Sequence, residues 1–556
     1  MKPWYQKAVF YHIYPLGLLG APKTNHEASA ACRFDELLQW IPHIRDLGCT
    51  ALYIGPVFES TGHGYDTRDL HLVDRRLGTN EDFTNFVDQC HEHGIRVAVD
   101  AVFNHTGREF PAFRDIQEKR EASPYKDWYR GVNFGWGSPM GDSFGYEAWQ
   151  GHYELPCLNL QNPAVREYLM DTVKFWIDTF HIDGLRLDCA NVLDFAFMKE
   201  LRSRTASMKE DFWLMGEVIH GEYGRWVNGE MLHSVTNYEL HKALYSGHND
   251  HNYFEIAHTV KYLQNMGNLD LYNFVDNHDV ERIYTKLSNK AHFAPVHVLL
   301  YTLPGIPSIY YGSEFGIEGR KERGSDDSLR PALDLKDYED ALKKNPCTAL
   351  VSALGRVRQA VPALSYGSYA ELMLTNRQYA FARDLNGVRV IVTVNNDDNE
   401  AFMNLQTGNV SEYTGALSGQ HISVQDGHIQ VAVAANNGEI WVPSEVLKDS
   451  AEYSVEVQTE PEKSETEEPD MKEPDMKEPN PEETVSEVSE TQIETNENAE
   501  NTVSVNKTPE EMTVEELQAA ILAKMAGNGP VTDQMKKTVY DNIWHESLVN
   551  WIKSFR

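Results

Sequence analysis

Over roughly the first 345 residues, short apolar, β-branched runs alternate with longer stretches whose apolar positions recur every three to four residues. The short runs are AVFYHIYP (8–15), ALYIGP (51–56), IRVAVDAV (95–102), IDGLRLD (182–188), FWLMGE (212–217), SVTNY (234–238), LYNFVD (271–276) and IPSIYYG (306–312). They read as strands. FDELLQWIPHIRDLG, EDFTNFVDQCHEHG and PAVREYLMDTVKFWIDTF read as helices, the last opening on a proline, which the first helical turn tolerates. Eight strands alternating with helices predict an α/β fold, a (β/α)8 TIM barrel. A doubly wound open sheet has the same alternation. The polar candidates described below fall at strand C-termini throughout, which favours the barrel, whose functional groups sit at that face.

The connection after the third strand is long, running from Asn104 to Pro163 and rich in Gly, aromatic and charged residues. Such a connection is expected to fold as an inserted subdomain or lid. Beyond residue 361 the pattern changes to alternating strands, ELMLTNRQYAFARDLNGVRVIVTVNN, with Asn-Gly as a hairpin signal. The expected organisation is a barrel over 1–104 and 163–360, an inserted subdomain over 105–162, and an antiparallel β-sandwich over 361–447. An acidic, disordered linker over 448–510 and a helical segment over 511–556 follow, with TPEE (508–511) as the expected cap and first turn.

Net charge is −34, of which residues 449–505 alone contribute −16. The remaining −18 repels nucleic acid phosphates and anionic membranes but suits a neutral substrate. Cys32, Cys49, Cys90, Cys157, Cys189 and Cys347 form no CxxC pair or zinc spacing, which suggests a reducing compartment. The N-terminus lacks a signal-peptide pattern, and no apolar run is long enough to span a membrane. The expected location is cytoplasmic.

Carboxylates mark four of the strand ends. GLRLD delivers Asp188, with Arg186 two residues earlier on the same side of the strand, where a guanidinium stabilises the anion. LMGE delivers Glu217 after an apolar run, and apolar surroundings favour the protonated acid. VDNHD offers His278 and Asp279; DAVFNH offers Asp100, Asn104 and His105. Acetal hydrolysis needs such a pair, one carboxyl to protonate the leaving oxygen and one to attack the sugar.

With these residues in order, the chain resembles the α-amylase family, glycoside hydrolase family 13, over about residues 5–445. DAVFNH, GLRLDCANV, LMGEV and FVDNHD are similar to its four conserved regions, LPCLN (155–159) to a fifth, and HGYDT (63–67) to the segment bearing a sugar-stacking tyrosine. The resemblance implies Asp188 as nucleophile, Glu217 as acid/base and Asp279 as transition-state stabiliser, with retention of configuration. Arg186 would orient Asp188. His105 and His278 would bond sugar hydroxyls, Tyr65 would form the platform, and Asp326 and Arg330 would clamp the next sugar. Asp100 matches a structural aspartate. His12, His63 and His220 stay open between substrate contact and ordinary polar roles.

Two departures bear on cofactors. Family members with a structural calcium often carry Asp at the position of Cys157 and His at that of Val192, so no calcium, and no other cofactor, is expected. Cys189 is expected to pack as a small apolar residue. The motifs look closer to the neopullulanase and cyclomaltodextrinase branch. The resulting expectation is hydrolysis of α-1,4 bonds in maltodextrins, with α-1,6 bonds tolerated. A transglycosylase with the same intermediate, for which Trp136, Trp149 and Trp226 would offer acceptor surfaces, is one alternative. A non-catalytic scaffold whose tail recruits partners is another. The terminal helices would serve self-association or a protein partner.

Overall fold

The computed structural model describes residues 2–26, 30–449 and 513–527. The chain divides into two compact units, Met1–Pro461 and Glu462–Arg556. In the second, the described residues form a helix, Val514–Gly527. Thr513 and Glu516 cap it reciprocally, with the Thr513 N–H donating to the Glu516 carboxylate at 2.7 Å and the Glu516 N–H to the Thr513 hydroxyl at 3.3 Å. The expected TPEE cap lies outside the described residues, as do most of the expected linker and the final stretch after residue 527.

The first unit is built on eight parallel strands: β1 (Phe10–Ile13), β2 (Ala51–Ile54), β3 (Arg96–Ala101), β4 (Gly184–Leu187), β5 (Trp213–Gly216), β6 (Ser234–Val235), β7 (Tyr272–Asn273) and β8 (Ile306–Tyr310). Their order is β6-β5-β4-β3-β2-β1-β8-β7. A parallel bridge, Thr236 to Tyr272, joins the two ends into a barrel. Asn237 reinforces that seam, its N–H donating to the Tyr272 carbonyl (2.9 Å) and its side-chain amide to Asn273 Oδ1 (2.8 Å).

The period-two alternation of strands sorts their residues into two cores. Phe10, Ala51, Tyr53, Ala98, Trp213, Met215 and Tyr272 pack together inside the barrel. Their strand neighbours Tyr11, Leu52, Val97, Val99, Leu185 and Leu214 join the larger core beneath the helices. Continuing the same parity carries Asp100, Arg186, Asp188 and Glu217 to the inner side at the C-terminal rim.

Asn80–Glu92 is capped reciprocally by Thr79 and Asp82, and Pro163–Phe180 by Asn162. The stretch expected as one helix over 34–48 is two, Phe34–Leu38 and Trp40–Asp46, broken at Gln39. Pro42 explains the break, because it has no N–H for the Leu38 carbonyl. After β3 the chain leaves the barrel, forms a helix (Pro111–Lys119) and a short hairpin (Ala148–Trp149 with His152–Pro156), and returns beside its exit. There the Leu158 N–H donates to the Asn104 carbonyl (2.9 Å) and the Thr106 N–H to the Pro156 carbonyl (3.1 Å).

The C-terminal part of this unit is antiparallel. Its strands are β9 (Ser368–Leu374), β10 (Gln378–Leu385), β11 (Val388–Asn395), β12 (Ala401–Gln406), β13 (Glu412–Gly415), β14 (His421–Ser423), β15 (His428–Val433) and β16 (Asn437–Pro443). The sheet β9-β10-β11-β16-β13-β14 faces the β12-β15 pair over Ile391, Met403, Leu405, Ile429, Val431 and Trp441, which makes a sandwich. The Asn386-Gly387 turn has positive φ at both positions (51° and 86°), the geometry the Asn-Gly signal predicts.

Candidate active site

Arg186 is the hub of the barrel's C-terminal rim. It is buried, and its guanidinium serves carboxylates from three adjacent strands. Nη1 donates to Asp100 Oδ1 (2.9 Å) and Asp188 Oδ1 (2.8 Å), while Nη2 lies 3.0 Å from Glu217 Oε1. The strand register dictates this meeting, because Asp100 pairs directly with Arg186 across β3–β4 and Arg186 with Met215 across β4–β5. Side-chain oxygens of Asp188 and Glu217 lie within 4.8 Å of one another.

The carboxylates do not titrate alike. Burial, reinforced by Asp188 and Asp279, pushes Glu217 up to about 7 despite the opposing guanidinium of Arg186. Sequence reasoning ascribed this to apolar surroundings. The carboxyl in fact also meets Arg186 and accepts the Cys189 N–H at Oε2 (3.0 Å), and desolvation still prevails. Burial also raises Asp100, whose Oδ2 accepts the Tyr53 hydroxyl at 2.8 Å and the Tyr65 hydroxyl at 3.0 Å. Burial acts upward on Asp279 too, but His278, Arg330 and Arg186 outweigh it and hold that carboxyl far below the usual range.

Asp279 follows β7 and closes the ring of carboxylates. Its Oδ2 lies 2.9 Å from His278 Nε2 and its Oδ1 accepts Arg330 Nη2 at 2.9 Å. His278 Nε2 is also 2.5 Å from the Tyr65 hydroxyl, and the His278 ring lies nearly parallel to those of Tyr65 (13°) and Tyr14 (15°). His278 Nδ1 is buried and has no hydrogen-bond partner among the described residues. His105 is buried beside Trp149; burial lowers its pKa, although Asp188 and a hydrogen bond with the Tyr65 backbone oppose this.

The structure therefore brings together Asp188, Glu217, Asp279, Arg186, Tyr65, His278 and Arg330. Asp326 joins them through Arg330, whose Nη2 reaches Asp326 Oδ2 at 3.0 Å. The same Arg330 nitrogen also holds Asp279. His220 is exposed on the loop after β5. His12 is buried, stacked on Tyr53 at 4.3 Å and edge-on to His278. Tyr14 and Tyr53 were missed in the sequence. Tyr53 had a usable signal, its inward position at the C-terminal end of β2.

Two readings are corrected. Trp226 is no acceptor platform: it is buried, its Nε1 donating to the Ala190 carbonyl at 3.2 Å. Nor is Cys189 simply apolar packing, since its thiol donates to Asp188 Oδ2 at 3.1 Å.

At the junction of insertion and barrel, Arg130 lies 3.3 Å from Glu147 and hydrogen-bonds Cys157. A thiol and a guanidinium do not suit calcium, which takes six or more oxygens. Among the described residues, Asp188, Cys189 and Glu217 are the one cluster of three potential metal ligands, and Arg186 already contacts both of its carboxylates. Among the described residues no helix is long and apolar enough to cross a membrane.

Residues 33–358 match the family described as alpha amylase, catalytic domain. A cyclomaltodextrinase of Bacillus sp. is 32% identical over 426 residues, covering 71% of this chain and 73% of that protein. Neopullulanase 2 of Thermoactinomyces vulgaris is 30% identical over 467 residues, covering 79% and 78%. Among solved structures, the native debranching enzyme of Nostoc punctiforme matches 79% of this chain and 99% of its own with a TM-score of 0.67 at 27% identity. The four motifs, the strand ends that carry them and the extent of these matches agree: the chain belongs to the α-amylase family, glycoside hydrolase family 13.

Proposed function

We propose that the protein is a retaining α-glucan hydrolase acting on α-1,4 bonds of maltooligosaccharides, with α-1,6 bonds also within its range. The observation that carries this reading is the meeting of Asp188 and Glu217 on one guanidinium, with Glu217 raised by burial. Glu217, raised to about 7, keeps a large protonated fraction at neutral pH and donates to the glycosidic oxygen. Asp188 attacks the anomeric carbon and forms a glycosyl ester as the leaving sugar departs with that proton. Water then gives its proton to Glu217 and releases Asp188. Oxygens of Asp188 and Glu217 within 4.8 Å of one another agree with the close spacing of a retaining site (~5–5.5 Å between carboxyl groups) rather than the wider spacing that admits an inverting enzyme's water. Asp279, held anionic by His278 and Arg330, stabilises the positive sugar. Tyr65 supplies a ring face, and His105 and His278 bond its hydroxyls.

The substrate class rests on relatives named cyclomaltodextrinase and neopullulanase. A relative named intracellular maltogenic amylase supports a cytoplasmic setting, and the terminal helical segment is read as a self-association or partner-binding element. Neither calcium nor another cofactor enters the scheme.

The test is a proton NMR time course on maltoheptaose, resolving the anomers of new reducing ends, with Asp188→Asn in parallel. Fresh α-anomer from the wild type and none from the variant is expected. β-Anomer, no reaction, or an active variant would overturn the reading. Products longer than the substrate would show sugar transfer.

A further inference from the structure

Cys189 is the residue after the β4 carboxylate, and its geometry is unusual in two respects. Its backbone lies in the left-handed region (φ 50°, ψ 37°), which side chains other than glycine's enter at a cost. A turn of 3-10 helix (Ala190–Val192) follows at once, with the Val192 N–H donating to the Cys189 carbonyl. This sharp turn points the Cys189 N–H at Glu217 Oε2 (3.0 Å) and leaves the thiol against Asp188 Oδ2 (3.1 Å). One residue thereby touches both carboxylates of the proposed pair, on the oxygens that Arg186 does not contact.

The two contacts differ in kind. The one to Glu217 belongs to the backbone and survives substitution. The one to Asp188 belongs to the side chain. Burial, reinforced by the charges of Asp188 and Glu217, keeps the thiol protonated, so it acts as a donor and not as a thiolate. Asp188 then has one donor on each oxygen, Arg186 on Oδ1 and Cys189 on Oδ2. Two donors fix rotation about the Cβ–Cγ bond, whereas one leaves the carboxylate free to swing about the Arg186 contact.

We propose that Cys189 is a positioning residue for the cleavage reaction, its S–H locking the orientation of the Asp188 carboxylate while the left-handed turn that carries it aims its N–H at Glu217. This rests on the reading of Asp188 as nucleophile and Glu217 as acid. Nucleophilic attack is sensitive to such orientation, because a carboxylate oxygen off line reacts slowly while substrate binding is unaffected.

Three variants of the full chain separate thiol from turn: Cys189→Ser, Cys189→Ala and Cys189→Gly. Serine keeps a donor, alanine removes it, and glycine removes it while easing the left-handed backbone. We measure kcat and KM on maltoheptaose together with the thermal midpoint of each. The expected result is a kcat about tenfold lower in both Ala and Gly variants, with KM within about twofold of wild type and serine restoring most of kcat. Glycine guards against misfolding, being the residue best suited to this turn. The inference is overturned if Ala or Gly retains wild-type kcat, if Gly outperforms Ser, or if Ser falls as far as Ala. An inactive wild type, or an active Asp188→Asn control, would instead sink the catalytic reading itself. An active wild type with unaffected Ala and Gly variants sinks the role of Cys189 alone.

Discussion

Arg186 Nη2 lies 3.0 Å from Glu217 Oε1, yet the Glu217 carboxyl is pushed up, to about 7. The same guanidinium also serves Asp100 and Asp188, so its single charge is spread over three carboxyls, and burial decides the outcome.

The rate consequence is an alkaline limb. A general acid must be protonated, so kcat/KM is expected to fall about tenfold per unit of pH above about 7. Glu217→Gln is expected to lower kcat by about 10³-fold and to remove that limb. A pH–rate profile of both proteins tests this, and a limb that survives in the variant would assign it elsewhere.

Stability has a matching sign. Glu217 has a folded-state pKa above its unfolded value (~4.3), so its contribution is full at low pH and is lost as pH rises through about 7. Glu217→Gln carries no such penalty. Its thermal midpoint is expected to exceed that of wild type at pH 8 and to approach it toward pH 5. The same midpoint difference at both pH values would refute the assignment.

Removing Arg186 strands three buried carboxylates. Arg186→Ala is expected to cost about 3–5 kcal/mol at pH 7, and less at pH 5, where Asp100 and Glu217, both raised by burial, take up protons. Arg186→Lys keeps the charge but cannot present a planar fork to several acceptors, and is expected to recover only part of the loss. Denaturant unfolding at the two pH values is the measurement, and a pH-independent loss would count against it.

Arg330 and Asp326 are expected to differ in their kinetic signatures. Arg330 holds Asp279 as well as Asp326, so Arg330→Ala is expected to lower kcat, whereas Asp326→Ala acts mainly on KM. Equal effects of the two substitutions on kcat would show that the Arg330–Asp279 contact is idle in the reaction.

Chelation tests the junction. With Arg130 beside Cys157 and Glu147, EDTA is expected to leave the thermal midpoint within about 1 °C and activity unchanged. A fall of several degrees that added calcium restores would disprove this.

The legible part of this molecule is what strand parity controls. Alternation along GLRLD and LMGE, with register between neighbouring strands, suffices to bring Asp100, Arg186, Asp188 and Glu217 to one rim. Illegible parts depend on loops and on single side-chain directions. Arg330 reaches Asp279 across 51 residues of sequence, and nothing in the local pattern of either segment signals it. Burial of Trp226 is equally silent, since a tryptophan in a Gly-rich loop reads the same inside or outside. The thiol of Cys189 points at Asp188 only because its backbone takes a left-handed turn that favours glycine. Pro42 did carry a signal for the helix break, but the apolar periodicity around it overrode that signal.

The paired exit and return of the chain after β3 has an evolutionary consequence. The Leu158 N–H and the Asn104 carbonyl, like the Thr106 N–H and the Pro156 carbonyl, tie the two ends of the excursion together at the barrel's edge. Everything between them hangs from a neck whose closure is already met by main-chain bonds. Length and content beyond the neck can change at little added entropic cost, because loop closure grows only logarithmically with length. The cradle around Arg186 is built from strands that this excursion does not displace. Selection can therefore remodel the wall of the cleft, and with it the shape of chain admitted, as a cartridge separate from the bond-breaking machinery.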